Sequence, residues 1–347
     1  MIQRSKKILP AIVASQMMAT SLWFSGNAIL EPLQDKFQLG VQAAGAITSS
    51  VQFGFIGGTL LFAFFVLADR FSPQIVFFVC SIGGALANLG KAIGFLVGAL
   101  VVGTALPHLL KGLGQQLPWQ MVVFTVSGIA TLGGLLMLVW VPDGPHLSKN
   151  SRFHPGALIH IFKSKKFRSS AFGYFGHMWE LYTFWAFVPL IVREAASGKA
   201  DLNIPLWSFC IIAAGSVGCV WGGVTSLKHG SAKVAAVQLS ASGICCLLSP
   251  LMFFASLPIF LAFLIFWGIV VVGDSPQFST LNAQNAPKER VGSALTIANC
   301  IGFAITIISI LLLSELTSWL APQFWLLPLA LGPLLGLIAM KPLFRPE

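Results

Sequence analysis

The hydrophobic residues of this chain fall in blocks of about twenty, separated by short polar stretches. A block of that length, wound as an α-helix with a rise of about 1.5 Å per residue, crosses the roughly 30 Å of hydrocarbon in a bilayer. The strands of an outer-membrane barrel are shorter, at about ten residues, and alternate between apolar and polar side chains. The run from Gly128 to Val141 has no such alternation. The pattern therefore predicts membrane-spanning helices.

The blocks divide the chain into two halves around a polar middle. The first half has blocks near residues 8–30, 43–68, 74–110 and 119–141. The second half has blocks near residues 171–192, 204–227, 234–255, 257–281, 291–313 and 319–340. We therefore predict an N-terminal helical bundle over residues 1–142, a basic cytoplasmic loop over 143–170 and a C-terminal six-helix bundle over 171–347.

The composition supports a membrane protein. Of the 347 residues, 56% are hydrophobic and only 9% are charged, whereas soluble domains carry about 25% charged residues. So few charges cannot cover the surface of a water-soluble fold. The fold class that we predict is an all-α, polytopic membrane protein.

The positions of lysine and arginine predict the orientation, because these residues concentrate in the cytoplasmic loops near the ends of spans. With a cytoplasmic N-terminus and spans of alternating direction, most cations fall on the inner side. The outer side receives Lys36, Lys111, Arg193 and Lys199, and Lys91 has no assignment. We predict a multi-pass protein of the inner or plasma membrane with both termini in the cytoplasm.

The net charge of +10 needs no nucleic acid as a partner, because acidic membrane lipids attract the same cations. The expected partners are membrane lipids and a small-molecule solute, and we expect a monomer. The six cysteines fall in predicted spans and have neither a disulfide framework nor zinc-ligand spacing. We expect no metal and no cofactor.

A short motif gives a resemblance to a known family. Residues 67–70, Leu-Ala-Asp-Arg, follow the second block. They resemble the middle of G-x-L-A-D-R-x-G-R-R, the signature loop between spans two and three of the major facilitator superfamily of transporters. Phe65 and Ser72 replace its glycines, and its two trailing cations are absent. The resemblance implies two bundles of helices, with Asp69 and Arg70 as a cytoplasmic latch between them.

The resemblance also predicts a shortened first half. A superfamily half has six spans, and the block at 74–110 would be about 55 Å long as a single helix. That is too long for one upright span and too short for three. Compared with the family, the fourth span is absent, so we expect about ten to eleven transmembrane helices.

Glu180 is the first candidate for chemistry. It lies about 15 Å by helical rise into the block at 171–192, which is the seventh span in the family's numbering, and a carboxylate there costs about 2.5 kcal/mol or more to insert. Such a group can take up and release a proton as a cavity opens to either side. His177 is one turn away on the same helix face and is a candidate to share that proton. The structural alternative is a permanently protonated Glu180 that bonds to a neighbouring helix, with His177 as its packing partner.

The second candidate is the sequence Gly273 to Gln277 in the block at 257–281, which is the tenth span in the family's numbering. Pro276 removes a backbone donor and is expected to kink the helix, which frees carbonyl groups at membrane depth. Asp274 is a candidate for gating or coupling, and Gln277 for contact with the solute. The alternative for Asp274 is a structural pair with adjacent helices.

Other polar and aromatic residues are candidates to line a solute cavity. Trp23 and Asn27 are four residues apart on one helix face and offer a stacking surface and an amide. The alternative roles are interfacial anchoring for Trp23 and helix–helix hydrogen bonding for Asn27. Tyr182 and Trp185 on the seventh span, and Asn299 on the eleventh, complete the set. A wall with many aromatic rings and few charges favours a neutral or amphipathic solute.

Motifs for other functions are absent from the sequence. There is no G-x-x-x-x-G-K-S/T phosphate loop, no G-x-S-x-G elbow and no H-E-x-x-H zinc motif. We therefore expect no enzyme, and ATP-driven transport would need another subunit. Two functions remain open: a proton-coupled secondary transporter that works by alternating access, or a non-transporting sensor or degenerate relative that lacks one span.

Overall fold

The computed structural model describes residues 2–23, 25–40, 42–64, 93–114, 117–141, 161–197, 201–287 and 291–344. Every regular element in these ranges is helical. The first half contains α1 (Ile2–Ala19), α2 (Ser25–Ala28), α3 (Leu30–Phe37), α4 (Ala43–Phe64), α5 (Ile93–Leu113) and α6 (Trp119–Trp140). The second half contains α7 (Lys165–Ala196), α8 (Ile204–His229), α9 (Ser231–Met252), α10 (Leu257–Gly273), α11 (Ser275–Asn285), α12 (Val291–Leu316) and α13 (Leu331–Met340).

Six described helical segments are long and apolar enough to cross a membrane: α6, α8, α9, α10 with α11, α12, and the segment Pro322–Phe344 that contains α13. The chain is a multi-pass, all-α membrane protein, as the pattern of hydrophobic blocks predicts. The predicted latch residues Asp69 and Arg70 lie outside the described residues. So does most of the block that bears on the fourth span.

The block at 8–30, predicted as one span, is interrupted. After α1 comes a turn of 3₁₀-helix, Thr20–Leu22, and α2 then begins at Ser25. Thr20, Ser21 and Ser25 each donate a side-chain hydrogen bond to a carbonyl three or four residues earlier, at 2.7–2.9 Å. Such bonds compete with the helical ladder and bend helices, which accounts for the interruption without a proline at that point.

The helix of the tenth span is interrupted at Asp274, two residues before the predicted kink at Pro276. Asp274 is the only residue between α10 and α11. Pro276 is in the first turn of α11, where its missing N–H has no helical partner to lose. The main-chain N–H groups of Gln277 and Phe278 both donate to the Asp274 carbonyl at 2.9 Å. The break thus places an acidic side chain in the middle of a spanning segment.

Helix α7 begins at Lys165, inside the stretch predicted as a loop. The Ser164 side chain caps it by accepting a hydrogen bond from the Phe167 N–H at 3.3 Å, as serine at an N-cap commonly does. Its central part, from Ala171 to Val188, is almost entirely buried against α8 and α10 to α13. Helix α7 is therefore the axis of the C-terminal bundle.

Backbones of neighbouring helices touch where glycine removes the side chain. A Cβ on Gly218 of α8 would collide with the Ile269 carbonyl of α10, and one on Gly268 of α10 would collide with the Ile211 carbonyl of α8. Small residues of this kind let membrane helices approach closely and gain dispersion energy. The two contacts are reciprocal, so α8 and α10 pack backbone to backbone.

Candidate functional site

A buried acid–histidine pair lies within the C-terminal bundle. The Nδ1 atom of His177, on α7, is 2.8 Å from Oδ1 of Asp274, at the break between α10 and α11. Both side chains are fully buried. The sequence offered Glu180 as the partner of His177, but the carboxylate at contact distance comes from another helix. Asp274 is thus in contact with a titratable side chain of a neighbouring helix.

Glu180 lies one turn beyond His177 on α7 and is also fully buried. The Cys246 thiol of α9 donates a hydrogen bond to its Oε2 at 3.4 Å. Asp274 is close enough to act electrostatically on the Glu180 carboxyl. We call His177, Glu180 and Asp274 the acid–histidine cluster. The cluster joins α7 to the break before α11, and the Cys246 hydrogen bond links it to α9.

Among the described residues, Oε1 of Glu180, Oδ2 of Asp274 and Nε2 of His177 have no hydrogen-bond partner, and Oδ1 of Asp274 has only its contact with His177. An unpaired polar atom in a dry interior costs about 1–3 kcal/mol, and more when it is charged. A proton on either carboxyl group reduces both the charge and the repulsion between the two acids. The arrangement therefore has the chemistry of a site that exchanges a proton.

The walls around the cluster are aromatic. The rings of Tyr174 and Phe278 lie 6.1 and 5.7 Å from the His177 ring, measured between centroids. Trp267 of α10 donates a hydrogen bond from its indole N–H to the Ser242 hydroxyl of α9 at 3.0 Å. The side chains of His177, Glu180 and Asp274 are fully buried, so solvent does not reach them in this conformation.

A second group of aromatic side chains lies where the two halves meet. The Trp23 ring is 5.3 Å from that of Phe55 on α4, 5.9 Å from that of Tyr182 on α7, and 5.7 Å from that of Phe303 on α12. The rings of Phe55 and Phe303 are 4.2 Å apart. We call these four residues the aromatic layer. Trp185 adjoins it through Tyr182, at 5.5 Å between ring centroids.

Asn27 forms hydrogen bonds to neighbouring helices, which is the alternative role that the sequence analysis gives it. Its Nδ2 atom donates to Thr48 Oγ1 at 2.9 Å and to the Ala186 carbonyl of α7 at 3.4 Å, and its Oδ1 accepts from Thr48 at 3.1 Å. The amide is thus occupied by α4 and by the other half of the protein. Gln277 is buried, whereas Asn299 is only half-buried.

The halves also touch at the end of the bundles that carries Lys36 and Lys111. There Asn203, before α8, donates through Nδ2 to the Gly112 carbonyl of α5 at 2.7 Å. A Cβ on Gly45 of α4 would lie 2.7 Å from the Ser314 side chain of α12. Two pairs of helices, α5 with α8 and α4 with α12, therefore close this end.

Replacing Asn27 with alanine should destabilise the contact between the halves. The change removes both donated hydrogen bonds and leaves Thr48 without its amide partner. Hydrogen bonds between membrane helices contribute about 0.6 kcal/mol on average and up to about 1.7 kcal/mol, so we expect a loss of about 1–2 kcal/mol. Thermal unfolding in detergent measures it. Ser50→Ala is the control, because the Ser50 residue is exposed and its hydroxyl, among the described residues, bonds only within α4; equal melting temperatures for the two variants would contradict the assignment.

The comparisons with known proteins decide the family. The family model described as "Major Facilitator Superfamily" matches residues 84–310, which is well over half of the chain. This chain belongs to the major facilitator superfamily. The resemblance read from residues 67–70 is thereby confirmed, and the chain is a member of a family of transporters. No curated protein sequence matches it.

Solved structures of superfamily transporters share the fold. A point mutant of the nucleoside transporter NupG superposes with a TM-score of 0.67 at 12% identity, over 97% of this chain and 100% of that one. The E. coli fucose:proton symporter FucP gives 0.58 at 13% identity, over 98% and 99%. A bacterial homologue of the iron transporter ferroportin, in an outward-facing state, gives 0.59 at 12% identity, over 96% and 98%.

Sequence reasoning missed three contributors to the cluster and the layer. Cys246 gave no signal because a thiol in a span is ordinary packing material. Phe55 and Phe303 are two of 29 phenylalanines in an apolar chain, and nothing in their spacing distinguishes them. Only the packing of the helices shows that their rings meet Trp23 and Tyr182.

Proposed function

We propose that this protein is a secondary active transporter that moves a small, uncharged or amphipathic solute across the cytoplasmic membrane by alternating access, with protons coupled through the acid–histidine cluster. Membership of the superfamily supports the transporter function. The observation that carries the coupling is the 2.8 Å contact between His177 and Asp274 with Glu180 beside it, all fully buried. Ionisable side chains inside a membrane are expensive to place and commonly mark proton relays.

The cluster gives a physical route from protonation to conformation. When Glu180 carries a proton and one further proton is shared between His177 and Asp274, the cluster has no net charge and suits a dry interior. Loss of the Glu180 proton leaves one net negative charge close to Asp274, and burial of an unpaired charge is costly. That charge favours a conformation in which water reaches the cluster. Release of the proton and rearrangement of the helices are then parts of one step.

The contacts between the two halves support a conformation in which the protein is closed at the outer side of the membrane. The cations predicted to be outside, Lys36, Lys111 and Arg193, lie at the ends of α3, α5 and α7. The contacts Asn203–Gly112 and Gly45–Ser314 close that same end. We propose cytoplasmic termini, a monomeric protein embedded in lipid, and two bundles, residues 1–142 and 171–347, joined by the loop at 143–170. Asp69 and Arg70 remain the proposed cytoplasmic latch.

Flux measurements with the purified chain in proteoliposomes test the transporter function. We expect a solute to enter faster than into empty liposomes, and an imposed inward proton gradient to accelerate its entry. The panel should begin with nucleosides and fucose, because the names of two structural neighbours point to these classes. Absence of flux for every solute would favour the second hypothesis, a non-transporting relative, which the family membership does not favour.

A further inference from the structure

The aromatic layer is composed of residues from both halves of the protein. Trp23 and Phe55 come from the first half, and Tyr182 and Phe303 from the second. Phe55, Tyr182 and Phe303 lie near the middle of α4, α7 and α12. A movement that opens a path between the halves at this level must separate the rings of Trp23 and Phe55 from those of Tyr182 and Phe303. The layer therefore lies on the path of a solute that passes between the halves.

The indole N–H of Trp23 has no hydrogen-bond partner among the described residues. Trp23 is half-buried, and its Nε1 atom is buried. The neighbouring amide of Asn27 is already bonded to Thr48 and Ala186. Buried polar groups are normally hydrogen-bonded. A solute that carries a hydrogen-bond acceptor would therefore supply the partner that the Trp23 N–H lacks.

The layer contains no charged side chain. The acid–histidine cluster is separate from it, since its contacts are with Cys246, Tyr174 and Phe278 in the C-terminal bundle. A charged solute would lose its hydration in the aromatic layer without gaining a counter-charge. A planar ring would instead gain contact area on both faces, because flat π-systems stack on aromatic side chains regardless of their detailed identity.

We propose that the aromatic layer is the solute-binding site and that its ligand is an uncharged planar ring carrying a hydrogen-bond acceptor. The ring stacks between Trp23 of one half and Tyr182 or Phe303 of the other, and its acceptor receives the Trp23 N–H. The inference rests on the proposed transporter function and specifies its substrate class. In the described conformation the four rings contact one another, so the ligand enters when the halves separate.

Equilibrium binding to the full chain in detergent tests the substrate class. Nicotinamide and uracil are the neutral planar probes, benzoate is the charged planar probe, and fucose is the neutral probe without a planar ring. We expect nicotinamide and uracil to bind at least tenfold more tightly than benzoate or fucose. Equal or tighter binding of benzoate or fucose overturns the proposal, as does failure of both planar probes to bind.

Three variants test the residues. Trp23→Phe keeps a ring but removes the N–H, and we expect binding of the planar probes to weaken by about fivefold to tenfold. Trp23→Ala removes the stacking surface as well, and we expect a loss of more than tenfold. Trp221→Phe is the control, because Trp221 on α8 is 64% exposed, and binding should be unchanged. Wild-type affinity in Trp23→Phe overturns the assigned hydrogen bond even if Trp23→Ala does not fold.

The binding assay separates this inference from the proposed function, because binding needs neither a membrane nor a proton gradient. Tight binding of planar probes together with absence of all flux would contradict the transporter function and leave the site in place. Proton-driven uptake of fucose that neither planar probe inhibits would support the transporter function and overturn the proposed substrate class.

Discussion

Replacing Glu180 with glutamine should abolish proton-driven accumulation of solute and leave solute exchange intact. Glutamine keeps the shape of a protonated carboxyl group but cannot release a proton. A chain that no longer exchanges this proton can still alternate with solute bound on either side. We therefore expect gradient-driven accumulation to fall to the level of empty liposomes, while counterflow of labelled solute stays within about twofold of wild type.

The control for this experiment is Glu194→Gln, which removes a carboxylate from the same helix near its end. Glu194 is only half-buried and lies outside the acid–histidine cluster, so proton-driven accumulation should be unaffected. Undiminished accumulation in Glu180→Gln would contradict the role of Glu180. Loss of counterflow as well as accumulation would show that the residue is needed for the fold or for alternation itself.

Replacing Gly218 with valine should cause the largest loss of stability. Even a single methyl group at this position would collide with the Ile269 carbonyl, so α8 and α10 must separate along the whole contact. Overpacking a well-packed interior commonly costs about 1–3 kcal/mol. We expect the upper end of that range, because the obstacle is backbone rather than a flexible side chain.

The measurement is the apparent melting temperature and the yield of monodisperse protein in detergent. Gly57→Val is the matched control, since a Cβ on Gly57 of α4 meets no atom of the described residues within 4 Å and the change in helix propensity is the same. We expect a clear drop for Gly218→Val relative to Gly57→Val. Equal melting temperatures would contradict backbone contact between α8 and α10.

The length of the hydrophobic blocks is sufficient to predict the membrane fold of this chain. Spans are long, uniform and bounded by charge, so their approximate limits follow from the sequence. The break at Asp274 is also predictable, because Pro276 removes a backbone donor wherever it lies. The interruption after α1 is not, since it depends on hydroxyl groups of Thr20, Ser21 and Ser25 that bond to the backbone, and serine and threonine occur in many uninterrupted spans.

The candidate site is only partly predictable, for a reason of geometry. A buried acid inside a span attracts attention because of its insertion cost, so the sequence indicates both Glu180 and Asp274. It does not indicate their partners, because helical spacing identifies neighbours within one helix only. The contact between His177 and Asp274 joins residues far apart in sequence, and it depends on how the helices of the bundle pack around α7.

The aromatic residues illustrate the same limit. The sequence proposes Trp23, Tyr182 and Trp185 as parts of one wall, and the structure brings them together with Phe55 and Phe303. It proposes Asn27 with equal reason as a ligand or a helix contact, and the hydrogen bonds of the amide to α4 and α7 give it the second role here. Which of two polar roles a residue has depends on its neighbours from other helices.

Access of water to Glu180 is the measurement that tests the central claim most directly. Infrared difference spectra of the chain in proteoliposomes, with Glu180→Gln to assign the carboxyl band, report whether that group exchanges its proton for deuterium. We predict that the band shifts in heavy water while a proton gradient drives solute uptake. If uptake proceeds under that gradient and the Glu180 band never shifts, the carboxyl group stays dry throughout the cycle and proton coupling through it is contradicted.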